Sequence, residues 1–211
     1  MNQSISIEFP NAITLTIKRE DLIHPFISGN KYRKLKYNLI QAKEKGHTTL
    51  LTFGGAFSNH IAAVAFAGKE YGFKTIGVIR GEELSSKVME NSTLSFAQEN
   101  GMVFYFETRE NYRNKDSELY LENLKSLFGN FYLVPEGGTN TLAILGCEEI
   151  LTEEDNTFDY ICCSVGTGGT ISGLINASSK HQKTIGFPAL SGGFLKNDIR
   201  KFVTKENWDL I

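Results

Sequence analysis

Strand-like apolar runs alternate with helical stretches along almost the whole chain, and this alternation constrains the fold more than any other feature. The runs at 48–53, 73–79, 102–106, 131–135, 159–165 and 184–187 read as strands. The stretches 31–45, 61–67, 87–100, 119–128, 141–151 and the one that follows Thr170 to about Ser178 read as helices. Such alternation predicts an α/β fold with parallel sheets, because parallel strands need a crossover and a helix supplies it. The 211 residues suffice for one large domain or two small ones.

Local signals add detail. I-T-L-T-I-K at 13–18 alternates like a half-buried strand. A loop over 20–30, with Pro25 and Gly29, leads into the 31–45 helix, which Gly46 ends as a glycine cap. Leu35, Leu39 and Ala42 share the apolar stripe of that helix. Lys31 lies at the edge of the stripe, at the N-terminal end, and Lys34 is expected to point elsewhere. The 61–67 helix is apolar nearly all round and should be buried. The polar stretch 107–118 reads as a loop, and the last ten residues carry no stop signal, as if breaking off in mid-structure.

Composition and spacing exclude several classes. A formal net charge of -2 gives no basic field to gather nucleic acid. No apolar run approaches the roughly 20 residues that span a bilayer. The first residues, Met1 to Ser4, lack the basic-then-apolar pattern of a secretory signal. Cys147, Cys162 and Cys163 are odd in number and two are adjacent, so no disulfide framework is expected and a reducing cytoplasm fits. Both members of the adjacent pair fall inside a strand and read as packing residues. His24, His47, His60 and His181 are scattered without zinc-like spacing, so no metal is expected. A serine-hydrolase nucleophile elbow is absent.

Four segments could carry chemistry. S-G-N-K-Y-R-K-L at 28–35 puts a lysine in the first turn of a helix, where the positive end of the dipole lowers its pKa. A neutral amine is what attacks an aldehyde; a solvated lysine face is the ordinary alternative. G-G-A-F-S-N-H at 54–60 is a glycine loop between strand and helix, with free N–H groups for an anion and Ser58 placed to cap the helix. With Asn59 and His60, Ser58 could hold a carboxylate or phenolate oxygen; a plain capped turn around a buried histidine is the rival. G-T-G-G-T at 166–170 offers three glycines and two hydroxyls ahead of a helix, a good phosphate nest. A dinucleotide site would need glycine where Ile171 stands and an acidic residue near Gly186 to Pro188. No lysine-hydroxyl pair follows the glycines, which excludes a Walker A loop. P-E-G-G-T-N at 135–140 is a glycine turn at a strand end and is weak alone.

In this order, with K-R-E-D-L at 18–22 ahead of them, the segments resemble the frame of the 1-aminocyclopropane-1-carboxylate deaminase / D-cysteine desulfhydrase family. That family is a branch of the tryptophan-synthase-β-like, fold type II, pyridoxal 5′-phosphate (PLP) enzymes. The resemblance runs from about residue 12 to the last. It implies a two-domain, three-layer α/β/α fold with PLP in the cleft between domains. Residues 1–46 and 132–211 would form the larger domain and 47–131 the smaller. It implies that Lys31 carries PLP as a Schiff base and moves the substrate proton, with Ser58 as a second catalytic residue. Asn59 would hold the PLP phenolate oxygen, and Ser58, Asn59 and His60 would face the substrate carboxylate. Gly166, Thr167, Gly168, Gly169 and Thr170 would cradle the phosphate. Family members are longer, so the fold is expected to be incomplete at the C-terminus, lacking the partner of the pyridine nitrogen and a tyrosine near the substrate. The implied activity is that of a lyase or deaminase on a small amino acid, yielding a 2-oxo acid and ammonia, with D-cysteine favoured over the cyclopropane substrate. A homodimer is an assembly the family allows. Two other readings stand beside it: a chain that binds PLP or phosphate without turnover, and a nucleotide-binding α/β protein using 166–170.

Overall fold

The computed structural model describes residues 1–189 and 193–211. The chain opens with an antiparallel pair, β1 (Asn2–Ile5) and β2 (Leu15–Lys18). Helix α1 (Asn30–Glu44) follows, then β3 (Thr49–Gly54), α2 (Asn59–Tyr71), β4 (Lys74–Arg80), α3 (Ser92–Glu99) and β5 (Met102–Glu107). Next come α4 (Arg109–Tyr112), α5 (Glu118–Phe128), β6 (Tyr132–Val134), α6 (Thr141–Glu148), β7 (Tyr160–Val165) and α7 (Gly169–Ala177). β8 (Lys183–Pro188), α8 (Phe194–Arg200) and β9 (Trp208–Leu210) complete the described elements.

Two parallel sheets result. The first has the order β5-β4-β3-β6 and the second β7-β8-β9. In the first, β3 lies between two neighbours and is buried along nearly its whole length. Side chains alternate across a strand, so its residues divide between two cores. Leu50 packs with Ile61, Val64 and Leu94 of α2 and α3, while Leu51 and Phe53 pack with Tyr112 and Leu124 of α4 and α5. Helices therefore cover both faces, as an all-parallel sheet requires. The second sheet has α7 and α8 on one face, around Val165, Ile171, Ile175 and Ile199. On its other face Tyr160, Cys162 and Phe187 are exposed.

Helix α1 joins the two halves. Leu35, Leu39 and Ala42 enter the core of the first sheet. On another side Lys36 reaches Glu149, just past α6, at 2.7 Å, and Arg33 reaches Glu20 at 2.8 Å. These contacts tie the first turns of α1 to the end of α6 and to the loop that precedes α1.

The structure corrects the sequence reading in several places. The 13–18 alternation does form a strand, but its apolar side is outward: Leu15 and Ile17 are exposed, and hydrogen bonds to β1 hold it. The 87–100 helix begins only at Ser92, because the Asn91 side chain accepts from the amides of Thr93 and Leu94 and so caps it. Residues 107–118 are not all loop. They hold α4, whose Tyr112 is buried edge-on against Phe53 at 6.0 Å. Cys162 is exposed rather than packed, and the terminal stretch contains β9, pinned by buried Trp208.

Candidate active site

Parallel strands end their N–H and C=O ladder on one rim, and the turns leaving that rim form a crevice. Here three such turns converge. One runs from β3 into α2, one from β6 into α6 and one from β7 into α7. With the first turn of α1 they enclose a cavity of about 470 Å³.

The β3–α2 turn ends at Ser58, whose Oγ accepts from the Ile61 amide at 3.3 Å and caps the helix. Asn59 is exposed, while His60 is 1% exposed. The His60 Nε2 lies 2.8 Å from the Thr52 hydroxyl, and that hydroxyl donates to the Val134 carbonyl at 2.8 Å. With its one proton committed, Thr52 must accept from His60, which fixes the neutral Nε2–H tautomer. The His60 Nδ1 is then a buried acceptor without a partner among the described residues. Burial, followed by the charges of Lys31 and Lys34, holds this imidazole well below its ordinary pKa.

Both lysines of the first turns of α1 face the cavity. Lys31 is half-buried, and its Nζ makes one long contact, 3.5 Å to Asn30 Oδ1. Burial lowers its pKa. Lys34 is 2% exposed and donates to Gly137 O at 2.9 Å, Thr139 Oγ1 at 2.9 Å and Thr167 Oγ1 at 3.3 Å. Burial, then the charge of Lys31, pushes it down to about 7. The expectation that Lys34 points elsewhere is wrong. Residues three apart on a helix are neighbours on one face, so Lys34, three residues after Lys31, follows it inward.

The β7–α7 turn closes the cavity. Gly168 has φ +80 and forms the start of α7. A side chain on Gly169 would begin 3.0 Å from Lys34 Nζ and 2.8 Å from Thr139 Oγ1. Glycine thus lets the helix start, with its unpaired N–H groups, come up against an ammonium. Thr170 Oγ1 accepts from Asn30 Nδ2 at 2.7 Å, tying this turn to the one that carries Lys31. No carboxylate lines the cavity among the described residues. Two amines and a helix N-terminus face each other with no anion of the chain between them.

The sequence profile of the family described as "Pyridoxal-phosphate dependent enzyme" matches residues 5–192. The chain belongs to that family. Among relatives of this pyridoxal-phosphate dependent chain, a Thermotoga maritima protein with the provisional name 1-aminocyclopropane-1-carboxylate deaminase is 35% identical over 175 residues. The match covers 75% of this chain and 52% of that protein. An Arabidopsis thaliana mitochondrial protein named bifunctional D-cysteine desulfhydrase/1-aminocyclopropane-1-carboxylate deaminase is 30% identical, over 78% of this chain and 45% of its own length. The chain thus spans about half the length of these curated relatives. A crystal structure of a homologue of the deaminase superposes with a TM-score of 0.79 at 26% identity, covering 100% of this chain and 70% of the other. The expected fold class is therefore shown, and no helix of the described residues is long and apolar enough to cross a membrane.

The structure brings every segment singled out in the sequence to this one cavity: 28–35, 54–60, the 135–140 turn through Gly137, and 166–170. Lys34 and Thr139 are the residues sequence reasoning missed. Lys34 gives the cavity a titration. Sulfate, which keeps its charge in this range, is expected to bind more tightly as pH falls through about 7, where the amine becomes ammonium. Calorimetry across a pH series checks this, with Lys34→Met as comparison. A pH-independent affinity in the wild type would contradict it.

Proposed function

We propose that this chain holds PLP in the cavity between the two sheets and acts as a lyase or deaminase on a small amino acid, releasing a 2-oxo acid and ammonia. The observation that carries this is the Lys31 amine, lowered in pKa and almost free of partners, facing a glycine nest and a buried second cation in a cavity without acid. These features fit PLP, which brings an aldehyde for the amine and a phosphate for the nest. When bound, PLP draws off the electron pair left at the substrate α-carbon.

The residues divide the remaining work. Lys31 attaches the cofactor and carries the proton to and from the substrate. The N–H groups of Gly166 to Thr170 would hold the phosphate, and the Lys34 ammonium, whose protons go to protein oxygens, would attract it by charge alone. Asn59, exposed at the start of α2, is free to donate to the phenolate oxygen. Ser58 has its oxygen engaged as a helix cap, which leaves its O–H to donate to a substrate carboxylate. His60 sits two residues further, behind that contact, with only an acceptor to offer.

Of the two reactions named for the relatives, the D-cysteine type is the one we favour for this chain, acting in the cytoplasm as a homodimer. The division we favour is a larger domain of 1–46 with 132–211 and a smaller one of 47–131, although β6 pairs with β3 of the smaller. The test adds PLP to the purified protein. A near-visible absorption band that borohydride bleaches is expected, with ammonia and 2-oxo acid released from D-cysteine faster than from 1-aminocyclopropane-1-carboxylate. Absence of the band removes the reading. A band without either product leaves a chain that binds PLP without turnover.

A further inference from the structure

Beyond the 136–138 turn lies a second concavity of about 370 Å³, lined by Arg80, Arg109, Tyr112, Arg113, Lys115 and Glu136. Four cations face one acid there, although the whole chain carries a net charge of -2. Two of the cations are engaged: Arg109 pairs with Glu83 at 2.6 Å, and Lys115 lies 3.3 Å from Asp116 and 3.4 Å from Glu136. Glu136 is engaged too, since Tyr112 donates to it at 2.9 Å. Arg80 and Arg113 are exposed and make no ion pair among the described residues. The floor is rigid. Tyr112 is buried, with the Arg80 guanidinium 5.8 Å from its ring centroid and the Lys115 ammonium 5.5 Å from it.

The position adds to this. Arg80 is the last residue of β4, so the concavity opens on the same strand-end rim as the candidate active site. The Arg80 Nη2 lies 3.6 Å from where a side chain on Gly55 would begin, and Gly55 belongs to the turn that leads into Ser58. Glu136 lines this concavity and Gly137 lines the larger cavity, so a single turn separates them.

We infer that this concavity is a binding site for a multivalent oxyanion, a polycarboxylate or a phosphate group, gripped by Arg80 and Arg113. Planar guanidinium groups match the oxygens of either in pairs. Two sources would present that chemistry: the distal anionic group of an amino acid seated in the neighbouring cavity, or a free anion bound beside it. The first source rests on the proposed function, whereas the second does not depend on PLP binding.

The test titrates the protein with citrate and with inorganic phosphate at constant ionic strength, following the Nε–H signals of arginine side chains by NMR and the heat of binding. The Arg80 and Arg113 signals should move together with citrate. An Arg80→Gln/Arg113→Gln double variant, both positions being exposed, should fold normally by circular dichroism and lose about tenfold or more in citrate affinity. Gly168→Val, which spoils the other anion site, should leave citrate binding intact. O-phospho-D-serine against D-serine separates the sources. If the double variant weakens only the phosphorylated amino acid, the site takes a distal substrate group. If it weakens citrate alone, the site takes a free anion. Equal affinity of wild type and double variant for all of these ligands overturns the inference.

Discussion

Lys31→Ala is expected to abolish borohydride-stable attachment of PLP and to lower any turnover by a factor on the order of 10²–10⁴, the usual cost of removing a residue that transfers the proton. Two lysines three residues apart compete for this role. Lys34 has the amine pushed down to about 7, so it is neutral in a larger fraction near pH 7, and on pKa alone it would be the better nucleophile. Its surroundings say otherwise. Three oxygens, Gly137 O, Thr139 Oγ1 and Thr167 Oγ1, take its three protons, an arrangement that suits an ammonium and holds it in place. Lys31 has a single weak contact and a half-buried side chain that can swing.

Peptide mapping after borohydride reduction distinguishes them. The wild type should carry the label on Lys31, and Lys31→Ala should carry none. Lys34→Met should still be labelled on Lys31, at a higher PLP concentration, because a cation near the phosphate is gone while the nucleophile remains. A label on Lys34 in the wild type would exchange the two roles.

How much of this was readable in the sequence differs between fold and site. The first sheet is legible because its inner strands, β3 and β4, are buried on both faces. T-L-L-T-F and T-I-G-V-I are near-continuous apolar runs, and Gly54 and Gly81 after them mark the turns. The second sheet was legible in position but not in burial. C-C-S-V looks alike whether one face is covered or both, so Cys162 was placed inside when it stands outside. Asn91 hid a helix start because a capping asparagine in mid-run looks like any polar residue on an exposed face. β1 and β9, four and three residues long, are too short for any periodicity to show.

The site turns were found through glycine and hydroxyl content, which the physics of anion binding demands locally. Lys34 was not, since its burial depends on Thr139 and Thr167, more than a hundred residues away. The Thr52–His60 pair was equally hidden. Its tautomer follows from the Val134 carbonyl, which belongs to a strand paired with β3 across 82 positions of sequence.

Gly168→Val should weaken PLP binding by roughly tenfold to a hundredfold, the loss of about one charge-assisted hydrogen bond to the phosphate. Gly168 has φ +80, where a β-branched residue is a genuine outlier, and a Cβ there would begin 3.0 Å from Ile199 Cγ1. The chain can keep that conformation at a strain of about 1–3 kcal/mol, or rotate the peptide and turn its N–H away from the cavity. Either way the nest suffers more than the core. Ile199 lies on α8, buried in the core of the second sheet, and has to give by a few tenths of an ångström, while the cores of the first sheet contain no residue of this turn. Affinity should therefore fall at every pH, with only a modest drop in the unfolding midpoint. Lys34→Met makes the complementary change, removing the charge and leaving the backbone donors. It should flatten the pH dependence near 7 while retaining part of the affinity. Cofactor titration and denaturant unfolding of the two variants check the pair. An unaltered PLP affinity in folded Gly168→Val would place the phosphate elsewhere.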